Sequence, residues 1–308
     1  MKTRPFKQVD VFTDTPYFGN PLAVVLDGSG LSDEDMQRFA RWTNLSETTF
    51  VLPTTQPGAD YRVRIFTPGG ELRFAGHPTL GTCHAWLAAG HTPQRDDQIL
   101  QQCEVGLVRI RSDAATQSLA FEAPPLRRSS PSPTVLAKVA GALGLKAHHV
   151  LAAQMLDNGT GWLGLLLEDA ETVLALSPDQ RALKELGHKV GVAGIYAPQD
   201  APALITRSNR EARAFAQRTA AVESAEAPDL EVRAFAACVG IEEDPVTGSL
   251  NASLAQWLIA DNRLPESYLV AQGQCIGRAG LVHIARDDQG QVWVGGRSVI
   301  CVDGSVHL

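Results

Sequence analysis

Apolar and polar residues alternate with the two-residue period of half-buried strands over residues 6–13, where Phe6, Val9, Val11 and Phe12 stand among polar neighbours. They do so again where Tyr61, Val63 and Ile65 interleave with Arg62, Arg64 and Phe66. The run Leu22-Ala23-Val24-Val25-Leu26 and the β-branched stretch ending Thr48-Thr49-Phe50-Val51-Leu52 predict two more strands, and the turn Tyr17-Phe18-Gly19-Asn20-Pro21 separates the first pair. Ser32 ahead of Asp33-Glu34-Asp35 marks a helix start, and Met36, Phe39, Ala40 and Thr43 recur at helical spacing to an end near Asn44. Glu47 therefore sits where that helix gives way to a strand. Further strands are expected at 98–103, 105–111 and 118–122. Beyond them come a helix at 134–143, strands at 149–154 and 162–167, a short helix from Pro178 to Leu186, and strands at 191–196, 202–206 and 231–235. The tail is β again, at 267–271, 280–285, 291–295 and 298–302.

Two apolar helical stretches interrupt this β pattern. Gly76-His77-Pro78-Thr79-Leu80-Gly81-Thr82 leads one, and Asp244-Pro245-Val246-Thr247-Gly248-Ser249 leads the other; they align without a gap as polar residue, Pro, two residues, Gly and hydroxyl. The alignment predicts His77 and Asp244 as N-caps with Pro at the first helical position, where its missing N–H and fixed φ cost nothing. It also places Gly81 and Gly248 one turn inside each helix, a poor position for glycine unless a backbone or ligand comes close. Two helix N-termini facing one another would offer free N–H groups and partial positive charge to an anion.

At 308 residues the chain exceeds one comfortable core, and the half-length echo argues for two similar halves. The Pro-, Arg- and Ser-rich stretch 124–133 is the best linker, and the polar, Ala/Glu-rich stretch 207–229 reads as a surface helix or insertion. No apolar run reaches the ~18 residues of a membrane span, and Met1-Lys2-Thr3-Arg4-Pro5-Phe6-Lys7 has no secretion-signal core, so a cytoplasmic protein without membrane contact is expected. Five scattered cysteines fit a reducing compartment and argue against disulfides or a structural zinc site; a net charge of −7 argues against nucleic acid. Cys83 reads as a buried small hydrophobe, and His84, His148, His149 and His188 show no ligand spacing. Gly159-Thr160-Gly161-Trp162-Leu163-Gly164 runs on into a strand rather than a helix, so it predicts a turn and not a dinucleotide site. No metal and no cofactor is expected. The polar residues left for chemistry are Glu47, His77, Asp244 and Ser249.

The runs Val9-Asp10-Val11-Phe12-Thr13, Gly19-Asn20-Pro21-Leu22-Ala23-Val24-Val25, Ser46-Glu47-Thr48-Thr49-Phe50, Phe74-Ala75-Gly76-His77-Pro78-Thr79-Leu80-Gly81, Glu243-Asp244-Pro245-Val246-Thr247-Gly248-Ser249 and Gly295-Gly296-Arg297 together resemble the PhzF-type isomerase family of phenazine biosynthesis. That resemblance implies an α+β fold of two pseudo-symmetric, β-barrel-like domains, each wrapped around a central helix, with the active site in the cleft between them. The expected division is 1–123 with 298–308 against 124–297. It further implies a cofactor-independent homodimer that shifts a proton on a small carboxylate-bearing substrate. By position, Glu47 matches the acid/base, His77, Asp244 and Ser249 the supporting polar residues, and Asn20, Gly76 and Gly248 the substrate contacts. Related racemases carry a cysteine at each helix start, where this chain has His77 and Asp244. An amino-acid racemase or epimerase, and a carboxylate-binding scaffold without turnover, are the competing readings. A proton shuttle needs a carboxyl group with a pKa near working pH, a condition that burial of Glu47 would meet.

Overall fold

A computed structural model describes residues 1–113, 116–197 and 227–308. The first half contains strands β1 (Thr3–Val11), β2 (Asn20–Val25), β3 (Glu47–Leu52), β4 (Tyr61–Thr67), β5 (Gly70–Leu72), β6 (Ile99–Cys103), β7 (Gly106–Asp113) and β8 (Ser118–Glu122). Its helices are α1 (Asp33–Thr43) and α2 (Gly76–Ala88). The second half contains β9 (Arg127–Ser129), β10 (Val150–Asp157), β11 (Gly161–Leu167), β12 (Val190–Ile195), β13 (Leu230–Ala236), β14 (Ile241–Asp244), β15 (Ser267–Gln272), β16 (Gly280–Arg286) and β17 (Val292–Gly296). Its helices are α3 (Pro133–Ala142), α4 (Ala170–Leu174), α5 (Gln180–Leu186) and α6 (Gly248–Ala260), and the chain ends in β18 (Ser298–His307).

The ladders run as one ribbon. From one end the order is β18, β1, β2, β3, β4, β6, β7, β8, and β8 then pairs with β17, from which the ribbon continues through β16, β15, β13, β12, β11, β10 and β9. Read from its two ends toward the β8–β17 junction, the ribbon repeats itself: the third and fourth strands are parallel in both halves (β2–β3, β11–β12), and so are the fifth and sixth (β4–β6, β13–β15). Short β5 and β14 hang on β4 and β13 in the same way. The two halves are thus topological copies, each curled about one apolar helix, α2 or α6, in an α+β architecture.

Both central helices are buried nearly all round, as their Ala, Leu, Gly and Trp content requires. They share one core with the inward residues of both halves, including Leu22, Leu80, Trp86, Leu250 and Trp257. The amphipathic helices lie outside: α1 covers Phe50 and Phe66 with Met36 and Phe39, while α3, α4 and α5 cover the outer face of β11 and β12. The α1 boundaries follow from its ends, since Ser32 accepts from the Asp35 N–H in a reciprocal capping box and Asn44 closes the helix in the left-handed region.

Three expectations need correction. First, His77 and Asp244 are not N-caps: α2 begins at Gly76 with Ala75 as its cap, and α6 begins at Gly248 with Thr247 as its cap. His77 is the second residue of its helix and Pro78 the third, whereas Asp244 ends β14 and Pro245 lies between strand and helix. Gly76, not Gly81, is the counterpart of Gly248, so the apparent echo is displaced by five residues. Second, the stretch 124–133, read as a linker, carries a short strand that was not expected there, β9, which pairs with β10. Third, α4 and β14 were not foreseen. The stretch Gly159–Gly164 is a turn into β11, as expected. The expected strand at 202–206 and most of 207–229 lie outside the described residues.

Candidate active site

The two central helices meet tip to tip. A Cβ placed on Gly76 would lie 2.8 Å from Phe121 Cζ and 2.9 Å from Gly248 Cα, and one on Gly248 would lie 2.9 Å from Gly76 Cα. Only glycine allows that approach, so both tips expose bare backbone to the same space. The first intrahelical bonds run from Thr79 N to Ala75 O and from Asn251 N to Thr247 O, so the N–H groups of Gly76, His77, Gly248 and Ser249 precede them. Gly81 has a different task, since its missing Cβ makes room for Leu22 and Val11.

Glu47 and His77 converge beside these tips. Parallel pairing sets Glu47 opposite Leu22, and Thr49, two residues on, accepts a 2.8 Å hydrogen bond from Thr82 of α2, which fixes the face of β3 that carries Glu47 as the inner one. Glu47 Oε2 lies 3.3 Å from His77 Nε2, with the two side chains only 13% and 5% exposed. The pair is not aligned as a hydrogen bond, and both atoms are buried without a partner. Burial pushes the Glu47 carboxyl up to about 7, against a smaller lowering by the Ser46 hydroxyl and by the charge of Lys189. Burial pushes His77 down to about 4, opposed by the charges of Asp244 and Asp10. Near neutral pH the imidazole is therefore uncharged, and the contact is not an ion pair.

Asn20 reads out the tautomer. Its Nδ2 lies 2.9 Å from Val246 O, 3.0 Å from Asp244 Oδ1 and 3.3 Å from His77 Nδ1, while its Oδ1 accepts from Ser46 Oγ at 3.3 Å. Flipping the amide would set its oxygen against a carbonyl and a carboxylate, so Nδ2 is the atom on that side. The two hydrogens of that nitrogen serve its two shorter contacts, and His77 Nδ1 stands third against the same donor nitrogen, a position that favours the tautomer with the proton on Nε2, toward Glu47. Asp244 is engaged at both oxygens, by Asn20 Nδ2 and, at 2.6 Å, by Thr247 Oγ1. Burial raises its carboxyl to about 6, opposed chiefly by His77. Ser249 Oγ accepts from Trp162 Nε1 at 3.2 Å and keeps its own proton free to donate.

The structure brings Asn20, Glu47, Gly76, His77, Asp244, Gly248 and Ser249 together. Sequence reasoning missed the residues that hold them. Gln272 donates to Thr247 Oγ1 (2.9 Å) and Asp244 O (3.1 Å), and accepts from Thr247 N (3.0 Å) and Asn251 Nδ2 (2.9 Å). Its signal was visible: a glutamine closing the apolar run Tyr268-Leu269-Val270-Ala271. Asp10, buried, accepts from Gly19 N at 2.9 Å and so fixes the turn that presents Asn20. Among the described residues no group of three or more His, Cys, Asp or Glu is placed to hold a metal ion, and no helix is long and apolar enough to cross a membrane.

Residues 9–304 match the PhzC-PhzF model of phenazine biosynthesis-like proteins. The chain belongs to that family. It is 32% identical to Antisense-enhancing sequence 1 of Schizosaccharomyces pombe, across 100% of both chains, and 32% identical to trans-2,3-dihydro-3-hydroxyanthranilate isomerase of Pseudomonas aeruginosa, across 97% of this chain and 98% of that one. Among solved structures it resembles a Bacillus anthracis phenazine biosynthesis protein of the PhzF family, with a TM-score of 0.78, 22% identity and 100% of both chains covered. A hydroxyproline epimerase from Agrobacterium vitis, at a TM-score of 0.58 and 11% identity over 99% and 93% of the two chains, has the same fold. As a PhzF-type chain, this protein is an enzyme of the isomerase class.

Proposed function

We propose that this PhzF-family chain relocates a proton on a small carboxylate-bearing substrate, without a bound cofactor, and that Glu47 is the acid/base. The observation that carries the reading is the convergence of two buried, unpartnered polar atoms, Glu47 Oε2 and His77 Nε2, where two helix N-termini abut. A substrate carboxylate would take the N–H groups of Gly76, His77, Gly248 and Ser249 and the partial positive charge behind them. Glu47, with its pKa pushed to about 7, is ionised often enough to remove a proton from carbon and protonated often enough to return it to another. Neutral His77 donates from Nε2 to a substrate oxygen or amine, and the Ser249 hydroxyl donates beside it. Asp244, with both oxygens held, orients Asn20 and through it the imidazole. On this reading the domains are 1–123 with 298–308 and 124–297, and the enzyme works in the cytoplasm as a homodimer.

The test follows the proton. One relative is named for trans-2,3-dihydro-3-hydroxyanthranilate, so that compound is the first substrate to offer, followed by a metabolite extract, both in deuterated water with mass spectrometry as the readout. Native protein should place deuterium on the substrate or product carbon, and Glu47→Gln should slow this by at least about a hundredfold, the lower end of what a positioned acid/base supplies. Undiminished exchange in Glu47→Gln would remove Glu47 from the mechanism.

A further inference from the structure

The internal repeat makes β12 the counterpart of β3, since both are the fourth strand of their half and both pair in parallel with the third. Glu47 opens β3; Lys189 stands immediately before β12. The faces agree as well. A Cβ on Gly191 would strike Leu250 in the first turn of α6, whereas Val190 and Val192 pack outward with α3 and α5, so Lys189 shares the inward face with Gly191. Its ammonium lies 5.6 Å from the centre of the Trp162 ring, whose Nε1 reaches Ser249 Oγ at the α6 tip. Leu163 pairs with Val190, which puts Trp162 and Lys189 side by side at the same end of their strands.

The second half therefore sets a cation where the first half sets its carboxyl group. Among the described residues no carboxylate lies within ion-pair distance of Lys189, and its side chain is half-buried. Its charge is felt across the cleft at Glu47. The ammonium lies over the face of the indole and Ser249 Oγ meets its Nε1 edge, so the place Lys189 serves lies beside the one made by the four tip N–H groups and is distinct from it.

We infer that Lys189 binds a second anionic group of the substrate, and that the substrate class is a small dianion carrying a carboxylate for the helix tips and a further carboxylate or phosphate for Lys189. This deepens the isomerase reading above and names its substrate class. The ammonium would set which compounds are held and leaves the proton transfer to Glu47.

Binding tests the idea without turnover. Glutarate, pentanoate and 4-phosphonobutyrate are titrated into native protein, Lys189→Met, Lys189→Arg and Glu47→Gln, by calorimetry and by tryptophan fluorescence, with melting curves to verify folding. Native protein should bind glutarate at least about tenfold more tightly than pentanoate, as expected of one charge-assisted contact. Lys189→Met should abolish that preference while leaving pentanoate affinity unchanged, and Lys189→Arg should restore most of it. Tighter binding of 4-phosphonobutyrate than of glutarate would assign the second group as phosphate-like, and the reverse order as carboxylate. Equal affinities in native protein, a preference that survives in Lys189→Met, or no binding of either dianion would overturn the inference. Glu47→Gln should keep the preference, so failure of the proton-transfer reading and failure of this one are told apart.

Discussion

Burial moves Glu47 and His77 in opposite directions for one reason: each loses the water that would stabilise its charged form. For Glu47 the consequence reaches the stability of the whole fold. Its carboxyl titrates at about 7 in the folded protein against an ordinary value of 4.5, so between those values the folded state binds more protons than the unfolded one. Its contribution is fully present below pH 4.5, is lost as pH rises from 4.5 through 7, and stays lost above; one pKa unit is worth 1.4 kcal/mol, which sets a ceiling of about 3–4 kcal/mol. His77 has the reverse sense, losing stability as pH falls from 6.5 toward 4. Glu47→Gln cannot ionise. The difference in melting temperature between variant and native protein should therefore grow in the variant's favour, by several degrees, from pH 5 to pH 8. In the same window the native rate should climb as Glu47 loses its proton. A melting difference that does not change with pH would show that the carboxyl is solvated in the folded state.

At the level of elements the site depends on where two helices begin. Gly76→Ala would push a methyl group into Phe121 and the Gly248 backbone, and neither can yield without moving a strand or a helix. Such overpacking costs about 1–3 kcal/mol, and it also separates the N–H groups that would share one carboxylate. The expected result is a folded protein with a lower melting temperature and a loss of carboxylate affinity out of proportion to it, measured with the same titrations. These starts were not fully legible in the sequence. The pairing of a polar residue with Pro suggested a cap in both halves, and in both the helix begins elsewhere, because α2 needs Gly76 itself to meet Gly248 while Asp244-Pro245 is still leaving β14. Strand positions, by contrast, were readable from alternation and β-branching, and α1 from its capping residues. Glu47, His77 and Ser249 could be named because polar residues beside apolar runs stand out locally. Gln272 carries that same local signal, but what it, Asp10 and Lys189 do depends on contacts that the fold makes and the neighbouring sequence does not show.

Across the whole molecule the site is also the seam. β8 pairs with β17, and near the chemistry a second set of bonds crosses from the first half to the second. Asn20 reaches Val246 O and Asp244, Arg278 Nη1 donates to Tyr17 O (3.0 Å) and Gly19 O (3.2 Å), and Ala279 N donates to Phe18 O (2.8 Å). Glu47 and His77 are 13% and 5% exposed beside these bonds, so opening them would widen a substrate's way to both side chains. Asn20 and Arg278 both hold the 17–20 turn against the second half, one from inside the cleft and one from its rim. If the turn releases as a unit, breaking either tie should weaken the other. Asn20→Ala should cost about 1–3 kcal/mol, because it strands the buried Val246 carbonyl. Arg278→Ala should cost less, since its partners lie nearer solvent. The double variant should then lose less than the sum of the two by at least about 0.5 kcal/mol, measured by denaturant unfolding. Strict additivity would mean that the turn does not move as one piece, and that access to Glu47 opens somewhere else along the seam.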